Sequence, residues 1–151
     1  MGDRICITLK DKNEYSATLY CHWAGLRALK ALHEALEGSR CDKENILCNL
    51  VIKVMCGECS DASFYLYDSR KDSTMANHDN WSWVFDINEN TWTTTDPDFE
   101  GKILTKDEVD NYVRGKRPCL YKECPCDKYG ITPYCNKALW DDINMKKEAE
   151  E

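Results

Sequence analysis

The side chains with the most chemistry to offer are cysteines. Ten occur in 151 residues. Cys119, Cys124, Cys126 and Cys135 crowd the C-terminal part of the chain, and Cys56 and Cys59 form a separate Cys-x-x-Cys. Thiols at this density are oxidised in pairs, bound to a metal, or held for redox chemistry. Zinc wants four ligands in a tetrahedron, and cysteine thiolate is among those it prefers. Cys124-Pro125-Cys126 puts two thiols on one tight turn, stiffened because Pro125 fixes its own φ. Thr132-Pro133 signals a helix start. Cys135 then falls in the first turn, where unpaired amides and the helix dipole favour thiolate. Short spacers keep the entropy of closing the set low.

Two zinc ligand sets follow. In a local one, Cys119, Cys124, Cys126 and Cys135 bind one ion. In a long-range one, Cys56 and Cys59 supply one knuckle and two C-terminal thiols the other. An iron–sulfur cluster uses the same ligand type. A redox role for Cys56 and Cys59 is a further alternative, although a redox Cys-x-x-Cys usually opens a helix and this one follows a helical pattern. Reduced, partly buried thiols are the non-metal reading. Cys6, Cys21, Cys41 and Cys48 lack ligand spacing and read as packing residues.

The second candidate site is the segment Leu19-Tyr20-Cys21-His22-Trp23, where a strand pattern gives way to a helical one. Side chains at such junctions project beyond the sheet. An enzyme centred here would use His22 with Cys21 or His78 assisting, and would need an orienting group. The alternative is that His22 bonds backbone at the junction while Trp23 packs. His33 reads as a boundary residue. No Gly-rich phosphate loop, Gly-x-Ser-x-Gly or His-Glu-x-x-His motif occurs.

The elements that must position these groups are legible in the periodicity. Residues 4–9 and 14–21 read as a strand hairpin. Leu26, Leu29, Leu32 and Leu36 form a helical stripe that Gly38 ends. Asp42 caps a second helix carrying Ile46, Leu47, Leu50, Val51, Val54 and Met55, a wider stripe expected to lie deepest on the sheet. Strands follow at 62–67, 81–87 and 91–95, the last two joined by the Asn88-Glu89-Asn90 turn. Asp96-Pro97-Asp98 stops the strand. Thr105 and Glu108 form a capping box for a helix over 106–113. The expected architecture is α+β: a mostly antiparallel sheet of about five strands, covered on one face by two helices, with a C-terminal cysteine-rich segment and helix. Residues 1–145 read as one domain that includes the cysteine-rich segment 117–136, and 146–151 as a charged, frayed tail.

Charge narrows the partners. The net charge of −7 repels phosphate backbones and argues against general nucleic-acid binding. Arg114-Gly115-Lys116-Arg117 is a short basic run that reads as solvated linker. No stretch approaches the roughly 18 apolar residues of a membrane span. No apolar run follows Met1-Gly2-Asp3-Arg4, so a cytoplasmic protein with free or metal-bound thiols is expected. A secreted protein with five disulfides is the counter-reading.

Leu19, Tyr20, His22, Trp23 and Gly25 resemble a Leu-Tyr-x-His-Trp-x-Gly motif shared by small uncharacterised prokaryotic and phage proteins. The stretch from Trp81 to Asp86 is similar to a later hairpin of that group. The resemblance covers about half the chain and stops before the cysteine-rich end. It implies an α+β fold and carries over no function. Together these features predict a non-enzymatic interaction protein with a structural zinc site, whose partner is a protein; exposed aromatics of 81–92 would form part of the partner surface, although a Trp stripe at strand spacing is more often core.

Overall fold

The structure, a computed structural model, describes residues 3–40, 42–56, 62–65 and 79–121. The chain forms two compact units, Met1–Val109 and Asp110–Glu151. The first unit is α+β, built on a mixed sheet of seven strands in the order β4-β3-β1-β5-β6-β7, with β2 also paired to β1.

The sheet grows from β1 (Ile5–Asp11), whose residues Ile5, Cys6, Ile7, Thr8 and Leu9 are all fully buried. A strand withdrawn from water on both faces is the mark of a central strand with a parallel neighbour. That neighbour is β5 (Ser82–Asp86), which lies parallel to β1 with Ile7 opposite Trp83 and Leu9 opposite Phe85. The expected count of about five strands is corrected to seven among the described residues, and the sheet is mixed. Five of the six pairings are antiparallel, but the central one is parallel. Parallel pairing needs a long crossover, and two helices and three strands lie between β1 and β5 in the chain.

The expected strand over 14–21 is split into β2 (Glu14–Tyr15) and β3 (Thr18–Cys21). Lys10 pairs with Tyr15, but Ile7 pairs with Leu19, so one extra residue is accommodated opposite Leu9. Ser16 makes this bulge possible. Its amide donates to the Leu9 carbonyl at 2.9 Å, and its Oγ accepts the Leu9 N–H at 3.0 Å, replacing the lost ladder acceptor. β4 (Ala62–Tyr65) pairs antiparallel with β3. β6 (Thr91–Thr94) pairs with β5, placing Trp92 opposite Phe85, and β7 (Leu104–Thr105) closes the other end. Trp81 was expected in the strand row with Trp83 and Phe85. It instead precedes β5 at φ +65°, outside the strand.

Trp83, Phe85 and Trp92 are fully buried, so of the two readings of this stripe they take the core and not the partner surface. The Trp83 ring meets Trp92 edge-on, and Trp92 tilts against Phe85. Three aromatic side chains on neighbouring strands form the core because they share one face with Ile5, Ile7, Leu9 and Leu19. The indole N–H of Trp83 is satisfied by the Asn80 carbonyl at 2.6 Å.

α1 (Arg27–Glu37) and α2 (Lys43–Cys56) pack against each other, and α2 also meets β1. α1 buries Ala28, Leu29, Ala31, Leu32 and Ala35. α2 was expected to be the deeper helix, but its buried line is Ile46, Leu50 and Val54, while Ile52 and Met55 are exposed. Its cap agrees with the sequence: Asp42 Oδ1 accepts the Asn45 N–H at 2.7 Å.

α3 (Lys106–Lys116) opens with the expected capping box. Glu108 N–H donates to Thr105 Oγ1 at 3.1 Å, and Thr105 N–H donates to Glu108 Oε1 at 3.2 Å. Within the second unit a 3-10 turn, Pro118–Tyr121, follows the helix. Tyr121 folds back so that the Arg114 guanidinium lies 4.5 Å from its ring centroid and its hydroxyl donates to Asp110 Oδ1 at 3.4 Å.

Candidate functional site

The strand-to-helix junction after β3 is the site the structure describes most fully. Cys21 pairs with Ile5 and is fully buried on the core face. Tyr20 occupies the opposite face, and its hydroxyl shares a hydrogen bond of 2.9 Å with His22 Nδ1. Trp23 meets the His22 ring edge-on at 4.6 Å between centroids and is 36% exposed. Cys21 and the Tyr20–His22 pair therefore lie on opposite sides of the strand, as alternation requires. The half-buried imidazole is oriented by one phenol and walled by one indole. General acid–base chemistry needs a proton donor or acceptor and a group to orient it. Among the described residues Tyr20 alone hydrogen-bonds the ring. His78 lies outside the described residues.

Backbone is also fixed here, by residues the sequence did not single out. The Asp3 amide donates to the His22 carbonyl at 2.7 Å, and the Gly25 amide donates to the Asp3 carbonyl at 2.8 Å. Asn80 Nδ2 donates to Asp3 Oδ1 at 2.6 Å and to the Arg4 carbonyl at 2.9 Å. Arg4 donates its amide and its Nε to Asp79 Oδ2, at 2.8 and 3.1 Å. Gly25 stands at φ +56°, and a Cβ there would lie 2.1 Å from Asp3 Oδ2. The glycine of the Tyr-x-His-Trp-x-Gly motif thus has two physical reasons: a left-handed backbone and a carboxylate seated on its Cα. That carboxylate sits beside the start of α1, which has no side-chain cap and no acidic residue in its first turn. A negative group there complements the helix dipole. The contacts join residues about twenty and about eighty positions apart, so periodicity carries no signal for them.

His33 is more than a boundary residue. Its Nε2 accepts the indole N–H of buried Trp92 at 2.8 Å, and its ring tilts against Trp92 and Phe85. A neutral imidazole accepting at Nε2 carries its proton on Nδ1. This pairing lets a fully buried tryptophan keep its hydrogen bond, and it fixes α1 over the aromatic core.

The cysteines divide as follows. Cys6 and Cys21 are buried, and Cys48 is exposed. Cys56 is the last residue of α2, and Cys119 lies in the 3-10 turn after α3. Cys41, Cys59, Cys124, Cys126 and Cys135 lie outside the described residues. Among the described residues no group of three or more metal-ligating side chains occurs. No helix among them is long and apolar enough to cross a membrane.

No family model, curated protein or solved structure matches the chain. The geometry itself must then carry any functional reading. Its other conspicuous feature is α2, where Cys48, Ile52 and Met55 are exposed at spacings of four and three residues. Such spacing puts them on one face of the helix. The buried line of Ile46, Leu50 and Val54 runs along the other side. A helix apolar on both sides is normally covered on both.

Proposed function

We propose that this chain is a non-enzymatic interaction protein, with a protein partner and a structural zinc ion held by four of Cys56, Cys59, Cys119, Cys124, Cys126 and Cys135. The outward apolar stripe of α2 is the observation that carries the interaction reading. Ile52 and Met55 are 59% and 47% exposed, and grouped apolar surface of this kind marks contact sites. The catalytic alternative has less support. Cys21, one of the two groups expected to assist His22, is fully buried on the core face. Zinc is supported by the dense ligand spacing of the cysteines in the sequence.

Metal analysis of protein purified without added metal tests the zinc site. The expected result is about one zinc per chain, with about four thiols protected from a thiol reagent until a chelator is added. Absence of metal together with free titration of every thiol would sink the proposal. The interaction surface is tested by Ile52→Glu combined with Met55→Glu. These exposed sites should change stability by no more than about 0.5 kcal/mol, while binding of an apolar dye falls and native partner contacts are lost. A large drop in stability would show instead that the stripe is packed within the chain.

A further inference from the structure

We draw no further inference here: the strongest candidate, the outward apolar stripe of α2 formed by Cys48, Ile52 and Met55, belongs to the reading just proposed, and nothing in the structure shows what covers it.

Discussion

Gly25 shows how one missing Cβ organises a junction. Alanine there would force a left-handed backbone that costs about 1–2 kcal/mol, and its methyl would displace the Asp3 carboxylate from Gly25. Gly25→Ala should therefore lower the urea midpoint, and Asp3→Ala should lower it by itself through loss of the Asn80 bond. Combining the two should cost less than their sum, because the clash is removed with the side chain. Strict additivity would mean that the two residues do not share this contact. His33 makes a similar argument inside the core. His33→Leu leaves the buried Trp92 N–H without its acceptor, a loss of about 1–3 kcal/mol in chemical denaturation. His33→Gln keeps an acceptor and should recover part of it. Tyr20, His22 and Trp23 stood out in the sequence because their types are chemically conspicuous. Asp3 and Asn80 did not, because an aspartate and an asparagine near strand ends are ordinary in any chain.

At the scale of elements, local rules were readable wherever the stabilising contacts are local. The Asp42 cap and the Thr105–Glu108 box connect residues three apart, and both form as expected. The division of the second strand was not readable, because Ser16 acts on Leu9 across the hairpin. A long-range ion pair adds a pH signature. Lys43 Nζ lies 3.0 Å from Glu14 Oε2 and 3.1 Å from Glu44 Oε1, joining α2 to β2. Hydrogen bonding to Glu14, then to Glu44, raises the Lys43 pKa, while a backbone hydrogen bond and then Lys43 lower that of Glu44. A lysine whose pKa rises on folding contributes stability below its unfolded value, near 10.4, and loses it as pH climbs through the folded value. A carboxylate whose pKa falls contributes above its unfolded value, about 4.3, and loses it as pH drops through the folded value. Lys43→Met should thus melt earlier than wild type at neutral pH. Thermal melts across pH should show the gap closing above the lysine range and narrowing below the carboxylate range. A gap independent of pH would mean that Lys43 stabilises through packing of its stem.

For the whole molecule, the aromatic core and the cysteines belong to separate accounts. Ile5, Ile7, Leu9, Trp83, Phe85 and Trp92 bury one another within the first unit. A chain of this length buries roughly 68–70% of its unfolded surface, enough to fold without staples. If zinc is bound as proposed, chelation should release its thiol ligands while the hydrogen exchange of amides in β1 and β5 stays slow. Loss of that protection on chelation would place the metal in the stability of the whole sheet. The net charge of −7 adds a long-range repulsion between copies of the chain.

What the sequence by itself determined was local: an α+β alternation, two helix caps, the strand stop at Asp96-Pro97-Asp98, and which residue types have chemistry to offer. These depend on neighbours within a few positions, so period and spacing carry them. Tertiary structure alone decided that β5 returns parallel to β1. It also decided that Asp3 closes over Gly25, and that α2 turns a second apolar face outward. Each of these depends on which distant segments share a sheet or a helix face, and chain periodicity does not encode that pairing.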